Sequence, residues 1–262
     1  MTEVLVLFAS KSDEKTYEPI LKFFGKNKIS HELVLASAHK TPAAVDAALA
    51  HDYKCVISGA GLAAALPGYI ASKIFRPVIG VPCSGNYQGL DALLSIAQMP
   101  PGIPVLAVGV NRGDMAAENC RKMLKKYDSV TVIGDKSNEV VKKASEILKK
   151  FEVISVFDEK PNPRTVNIEF TYFDEPVEKK DELVIYCPLL MEKDDNAEAS
   201  LNFLKHTSHG IWVGINNGVN AAIAAVEIMN YDNSFEELLT IYRRDLARKV
   251  LEGNRKKGSA HK

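Results

Sequence analysis

The sequence has few cysteines and no net charge, and each shortage argues against a class of protein. Its four cysteines (55, 83, 120 and 187) are scattered, with no Cys-x-x-Cys pair. This pattern argues against a disulfide framework or a zinc site and predicts the reduced thiols of a cytoplasmic protein. Basic and acidic residues both number 33, so no overall field favours a nucleic acid or a charged membrane as partner.

Long apolar runs are also missing. No segment approaches the ~18 uninterrupted apolar residues that a membrane span needs. A strand-like pattern starts at Val4, so we expect no signal peptide and a cytoplasmic location. A length of 262 residues fits one large domain or two modest ones.

The first half of the chain alternates β-rich runs with amphipathic helical patterns. Strands are predicted at residues 4–8, 32–35, 54–58, 78–81 and 105–110, and helices at 15–26, 42–50, 63–73, 90–98 and 115–126. Strands separated by helices of this length form right-handed βαβ units around a parallel sheet. The predicted fold class is therefore α/β.

The same pattern restarts near residue 128, which predicts a tandem duplication. Residues 130–138 parallel residues 5–13, and the spacing from Pro82 to Asn111 is nearly that from Pro188 to Asn216. We expect a first module at 1–127 and a shortened, degenerate second module at 128–262. Because Asp135 stands where the first copy has Ser10, and an acid there would repel an anion, we expect one competent site per chain.

Two segments carry the clearest chemical signal. Ser10-Lys11-Ser12-Asp13 and Ser37-Ala38-His39-Lys40-Thr41-Pro42 each follow a predicted strand. Ligands of open α/β sheets bind at the carboxyl ends of the strands. Hydroxyls and a lysine there suit a phosphate, and a histidine suits proton transfer, so the pattern indicates an enzyme acting on a phosphorylated metabolite.

Two glycine-containing segments complete the pattern. Residues 58–68 begin Ser58-Gly59-Ala60-Gly61, where the backbone can approach a ligand closely. Residues 85–100 form a polar glycine loop that leads into an apolar helix. Either segment could equally be a tight turn or a surface loop.

Together these four segments resemble the aminoimidazole ribonucleotide carboxylase family of purine biosynthesis, which includes the N5-carboxyaminoimidazole ribonucleotide mutases. The resemblance spans residues 3–126 and rests on the two polar motifs, on Gly59-Ala60-Gly61 with Leu66-Pro67-Gly68, and on residues 89–100. It implies a three-layer αβα sandwich with a parallel, flavodoxin-like sheet. It also implies a homo-oligomer, and a duplicated chain would form a dimer to tetramer.

The resemblance also implies roles for individual residues. Ser10, Ser37 and Lys40 would hold the 5′-phosphate of a phosphorylated aminoimidazole riboside. Asp13 would accept hydrogen bonds from the ribose, and His39 would be the catalytic proton shuttle. Backbone around Ser58, Gly59 and Ala60 would surround the imidazole ring and the migrating carboxylate. Ser12, Gly61 and Leu66 complete the expected substrate site.

The expected reaction is carboxylation at C4 of 5-aminoimidazole ribonucleotide, with CO2 or bicarbonate as co-substrate and with no cofactor or metal. Lys40 matches the family branch that uses CO2 directly, whereas the Gly59-Ala60-Gly61 loop is mutase-like. Ala65 occupies the position of a second histidine in mutases. A mutase, an enzyme of the same fold with another substrate, and a non-catalytic nucleotide-binding regulator are therefore alternatives. A receiver-like role for Asp13 is a further one, although receivers cluster several acids.

Overall fold

A computed structural model describes residues 2–173, 177–191 and 195–258. Parts of the two predicted modules (residue 1, and 174–176, 192–194 and 259–262) lie outside the described residues. The strands are β1 Val4–Phe8, β2 His31–Leu35, β3 Cys55–Ala60, β4 Val78–Pro82, β5 Leu106–Ala107, β6 Val130–Ile133, β7 Ser155–Phe157, β8 Val166–Tyr172, β9 Val184–Leu189 and β10 Ile211–Trp212. The helices are α1 Glu14–Asn27, α2 Pro42–Ala48, α3 Ala65–Ala71, α4 Leu90–Ala97, α5 Gly113–Met123, α6 Glu139–Lys150, α7 Asn196–His206, α8 Gly218–Met229 and α9 Glu236–Gly258.

The predicted alternation of strands and helices in the first half is confirmed, with local differences at the boundaries. Strand β3 extends two residues beyond the predicted end, to Ala60. Helix α3 begins at Ala65 instead of residue 63 because Leu62 and Ala63 adopt left-handed backbone angles, with φ of 49° and 53°. Strand β5 is short because it pairs with its antiparallel neighbour only through Ala107 and Trp212.

The described strands form a single sheet in the order β2-β1-β3-β4-β5-β10-β9-β8-β6-β7. Neighbouring strands are parallel except at the central β5–β10 pair. Parallel strands need crossover helices, and the intervening helices cover both faces of the sheet.

Two apolar layers fill the space between the sheet and the helices. On one face, Val4, Val6 and Phe8 pack with side chains of α1, α5, α6, α8 and α9. On the other face, Leu5 and Leu7 pack with side chains of α2, α3, α4 and α7. The predicted three-layer αβα architecture is therefore present. Among the described residues, no helix has both the length and the apolar character to cross a membrane.

The strand order repeats itself on either side of the central antiparallel pair. Strands β2-β1-β3-β4-β5 have counterparts in β7-β6-β8-β9-β10, in the same relative order. Glycines at equivalent points allow equivalent close packing: a Cβ on Gly113 would overlap the carbonyl of Thr16 in α1, and a Cβ on Gly218 would overlap that of Val140 in α6. We propose that a duplication produced this order; the module boundary at 127/128 remains a prediction.

A buried contact between Glu227 and Arg243 ties the last helix to the rest of the molecule. Glu227 of α8 is 2% exposed, and Arg243 of α9 donates to its carboxylate at 2.8 Å. The same guanidinium donates to the carbonyl of Ala71 at the end of α3 and lies 4.9 Å from the centre of the Phe75 ring. Burial raises the pKa of Glu227 to about 8, against the smaller opposing effect of Arg243.

This raised pKa makes stability depend on pH. Because the folded pKa lies above the unfolded value of 4.5, Glu227 stabilises the fold most at low pH and loses that contribution as pH rises to about 8. We expect the free energy of unfolding of wild type, relative to Glu227→Gln, to fall across this interval by up to ~1.4 kcal/mol per pH unit. Urea denaturation of both proteins from pH 5 to pH 8.5 measures this difference.

Glu237→Gln, on the exposed side of α9, is the matched control for removal of one carboxylate. It should not reproduce the pH-dependent difference. A constant difference between wild type and Glu227→Gln at all pH values would contradict the assignment.

Candidate functional site

A cleft of about 510 Å³ opens at the carboxyl ends of the four strands β2, β1, β3 and β4. The loops that follow these strands form its walls. The lining residues are Ala9, Ser10, Ser12, Asp13, Ser37, Ala38, His39, Lys40, Ala60, Gly61, Leu62, Ala65, Leu66, Ser84, Gly85 and Asn86. The structure thus places all the candidate site residues in one cavity, except Ser58 and Gly59.

The loop after β1 presents hydroxyls and a carboxylate. Ser10 caps the short 3₁₀ turn Lys11–Asp13, and its Oγ accepts from the Ser12 amide at 3.1 Å and from the Ser12 hydroxyl at 2.8 Å. The Ser10 hydroxyl lines the cleft, where it can donate to an anion. Partial burial raises the pKa of Asp13, and its hydrogen bond with Ser12 partly opposes that rise.

The loop after β2 is a closed turn that carries the imidazole and the ammonium. The Thr41 amide donates to the carbonyl of Ser37 at 2.9 Å, and the Ser37 amide donates to Thr41 Oγ1 at 2.9 Å. His39 and Lys40 lie exposed at the tip of this turn. Among the described residues, no carboxylate pairs with Lys40, so its charge can face a ligand.

Ser58 and Gly59 do not line the cleft because β3 continues through them to Ala60. The side chain of Ser58 is fully buried, and its hydroxyl has no hydrogen-bond partner among the described residues. Gly59 packs beneath the ring of Phe8, where a Cβ would overlap the ring. Their expected contact with substrate is therefore not supported by their position, and the cleft wall begins at Ala60.

The loop from Gly61 to Ala63 contacts the loop after β4 and the side chain of Asp91. A Cβ on Gly61 would lie 3.2 Å from the carbonyl of Cys83, so the loops after β3 and β4 touch. The amide of Ala63, in its left-handed conformation, donates to the Asp91 carboxylate at 3.0 Å. This capping carboxylate stabilises the turn that aims α3 at the cleft.

The loop after β4 supplies residues that were not predicted as site residues. Ser84 lines the cleft, and its amide and hydroxyl both contact the side chain of Asn111 at 2.9 Å. Gly85 and Asn86 lie beside it. The signal was present in the sequence, because the fourth strand of the sheet ends at the same edge as the other three.

The corresponding edge in the second half has different chemistry. Asp135 occupies the place of Ser10, and its carboxylate accepts from the amide of Ser137 at 2.8 Å and from the hydroxyl at 2.7 Å. These hydrogen bonds lower the pKa of Asp135, which keeps the group anionic. A carboxylate in this position repels a phosphate, whereas the Ser10 hydroxyl can donate to one.

Metal-binding geometry is not evident in the described part of the chain. Within residues 2–173, 177–191 and 195–258, no group of three or more His, Cys, Asp or Glu side chains is placed to hold a metal ion. The cysteine next to the cleft, Cys83, is buried, and burial raises the pKa of its thiol to about 12. This thiol is therefore neutral at physiological pH and a poor nucleophile.

The first half of the chain matches a known protein family. The family model described as AIR carboxylase matches residues 3–133, which are 131 of the 262 residues. The N5-carboxyaminoimidazole ribonucleotide mutase of Methanocaldococcus jannaschii is 48% identical over 118 residues, which cover 44% of this chain and 73% of that protein. The phosphoribosylaminoimidazole carboxylase of Candida albicans is 45% identical over 115 residues, which cover 42% of this chain and 20% of that protein.

Among solved structures, a crystal structure of a protein from Pyrococcus horikoshii OT3 covers 88% of this chain and 65% of that one, with 9% identity and a TM-score of 0.32. A similarity this low indicates neither a shared fold nor a shared function. The match to the family model falls on the half of the chain that contains the cleft.

Proposed function

Because this chain belongs to the AIR carboxylase family, we propose that its cleft carboxylates C4 of 5-aminoimidazole ribonucleotide with CO2, as a step of purine biosynthesis. The observation that carries the proposal is the meeting of an imidazole, an ammonium and two seryl hydroxyls in one cavity. These are the groups needed to hold a phosphorylated substrate and to move a proton.

The phosphate would bind between the loops after β1 and β2. Ser10 and Ser37 lie in the wall there, and the Lys40 ammonium adds a charge-assisted donor. Asp13, on the same wall, is placed to accept hydrogen bonds from the ribose hydroxyls. This arrangement leaves the Ala60–Gly61 side of the cleft for the imidazole ring.

The proposed chemistry starts from the substrate ring. Its 5-amino group donates electron density towards C4, and the electron pair at C4 forms a bond to the carbon of CO2. The resulting tetrahedral C4 still carries its hydrogen, and His39 takes it as a proton so that the C–H electron pair returns to the ring and aromaticity is regained. Proton transfer by a positioned side chain contributes typically ~10²–10⁴-fold in rate.

Direct use of CO2 is the branch we favour, on the evidence of two wall positions. Lys40 matches the direct branch of the family, and Ala65 places a methyl group in the wall where mutases have a second histidine. The alternative is an N5-carboxyaminoimidazole ribonucleotide mutase, the name carried by the relative from M. jannaschii. The mutase-like Gly59-Ala60-Gly61 segment favours that alternative.

A substrate test distinguishes the two branches. The purified protein is incubated either with 5-aminoimidazole ribonucleotide and bicarbonate or with the N5-carboxylated nucleotide, and the C4-carboxylated product is measured by chromatography. We expect product from the first mixture at a rate that rises with CO2 concentration. Product from the second mixture alone would indicate a mutase, and binding without product from either would indicate a regulator.

Replacing the imidazole tests the proton transfer. In His39→Asn we expect kcat to fall by ~10²–10⁴-fold while nucleotide affinity stays within about threefold, because the amide fills the space but cannot take the proton. His51→Asn, outside the cleft, is the matched control and should keep the wild-type rate. A wild-type kcat for His39→Asn in the steady-state assay would exclude His39 from the mechanism.

Replacing the ammonium tests the phosphate contact. We expect Lys40→Ala to raise KM about tenfold or more, with a smaller effect on kcat, since a hydrogen bond to a charged group contributes ~1.5–3 kcal/mol. Lys11→Ala removes an exposed ammonium on the neighbouring loop that does not line the cleft, and it should leave KM nearly unchanged. Equal KM values for Lys40→Ala and wild type would place the phosphate elsewhere.

A further inference from the structure

Ser84 and Asn111 form a pair at the end of the cleft opposite the proposed phosphate site. Ser84 lines the cleft just after β4, and Asn111 lies behind it in the loop after β5. Asn111 Oδ1 accepts from the Ser84 amide at 2.9 Å, and Asn111 Nδ2 lies 2.9 Å from Ser84 Oγ.

The hydrogen-bond pattern fixes the direction of the Ser84 hydroxyl. A backbone amide can only donate, so the Asn111 atom that it meets is the carbonyl oxygen. The other terminal atom of Asn111 is then the NH2 group, which also can only donate. Ser84 Oγ therefore accepts from Asn111, and its own proton has no acceptor among the described residues. That proton is left to donate into the cleft.

Further contacts of its backbone and side chain hold Asn111 in place. The backbone amide of Asn111 donates to the carbonyl of Pro82 at 2.8 Å, and Thr16 Oγ1 lies 3.4 Å from Oδ1 of Asn111. Its φ is 59°, a left-handed conformation that asparagine tolerates better than most residues. The orientation of Ser84 is thus set before any ligand arrives.

The second half of the chain contains the same asparagine clasp, in which the side chain of an asparagine accepts from a backbone amide of the preceding strand-end loop, but it lacks the hydroxyl. Asn216 has a φ of 55°, and its backbone amide donates to the carbonyl of Pro188 at 2.8 Å. The side-chain Oδ1 of Asn216 accepts from the backbone amide of Leu190 at 3.1 Å. Leu190 therefore occupies the position of Ser84. Because the loop closes equally well around leucine, the fold does not require a hydroxyl at residue 84.

The position of Ser84 indicates which part of a bound nucleotide its hydroxyl would contact. The Cys83 amide donates to the carbonyl of Ala60 at 2.9 Å, so Ser84 lies beside the Ala60–Gly61 wall. The loops that carry Ser10 and Lys40 follow β1 and β2, farther along the sheet edge. A nucleotide with its phosphate at that far end directs its ring towards Ser84.

We propose that Ser84, oriented by Asn111, donates a hydrogen bond to the carboxylate attached to the substrate ring, and so distinguishes the carboxylated from the uncarboxylated nucleotide. This inference rests on the proposed function. It assigns Ser84 as a substrate-binding residue and Asn111 as a positioning residue.

Binding of two nucleotides to Ser84→Ala tests the assignment. Isothermal titration calorimetry gives the affinity for 4-carboxy-5-aminoimidazole ribonucleotide and for 5-aminoimidazole ribonucleotide. We expect about tenfold or more weaker binding of the carboxylated compound, because a hydrogen bond to an anion is lost. Binding of the uncarboxylated compound should stay within twofold, which also shows that the variant is folded.

Asn111→Asp tests the positioning role. The new carboxylate keeps an acceptor for the Ser84 amide, but its second oxygen accepts the Ser84 proton that would otherwise serve the ligand. Asn111→Asp also adds a negative charge. The same substitution is therefore made in the Ser84→Ala background, where the added charge is present but no Ser84 proton can be captured. We expect the loss of affinity for the carboxylated nucleotide to be at least threefold greater when Ser84 is present. Asn216→Asp, in the equivalent clasp, should not change either affinity.

The outcomes separate this inference from the proposed function. If wild type binds neither nucleotide, the proposed function is wrong and the assignment of a ligand to Ser84 falls with it. If wild type binds both and Ser84→Ala weakens both equally or neither, only the role of Ser84 is wrong. Equal effects of Asn111→Asp in the two backgrounds would remove Asn111 from the positioning role.

Discussion

The cleft depends on parallel strands that end level with one another. Phe8 pairs with Leu35 on one side and with Gly59 on the other, and Gly59 in turn pairs with Val81. The loops after β2, β1, β3 and β4 therefore leave the sheet at the same height and enclose one cavity. A shift of one residue in any of these pairings would turn that strand's buried side chains towards the wrong helical layer.

Much of this arrangement follows from local sequence, because buried parallel strands are short, continuous apolar runs separated by helical patterns. The polar motifs directly after the first two strands were therefore assigned to the cleft, and His39 and Lys40 both line it. Ser58 and Gly59 lie outside the cleft wall because β3 continues through them, and the exact end of β3 is set by pairing with β1 and β4, which the sequence does not display. The place of Ser84 after the fourth strand can be read from the sequence, but the orientation of its hydroxyl depends on the contact with the distant Asn111, which the sequence does not display.

The two halves of the sheet share a scaffold but not a chemistry. Interactions that shape the backbone occur in both: the asparagine clasps at Asn111 and Asn216, and the glycines at which helices cross closely. Groups that would face a ligand differ: Asp135 stands in place of Ser10, and Leu190 stands in place of Ser84. The proposed duplication explains this difference. Contacts that the core requires are kept because their loss costs stability, whereas polar groups at an edge that binds no ligand would be free to change.

The charges along the cleft suit the proposed reaction. The proposed substrate would bring a phosphate and acquire a carboxylate, and Lys40, a cation of the cleft wall, lies on the loop proposed to hold the phosphate. At the other end, neutral donors such as the Ser84 hydroxyl would face the carboxylate. A neutral donor binds a carboxylate less strongly than an ammonium does. A cation there would bind the carboxylated product more tightly, and this would slow product release without accelerating transfer of the carboxyl group. In the proposed reaction, the distance between Lys40 and the reacting end would therefore favour turnover over tight product binding.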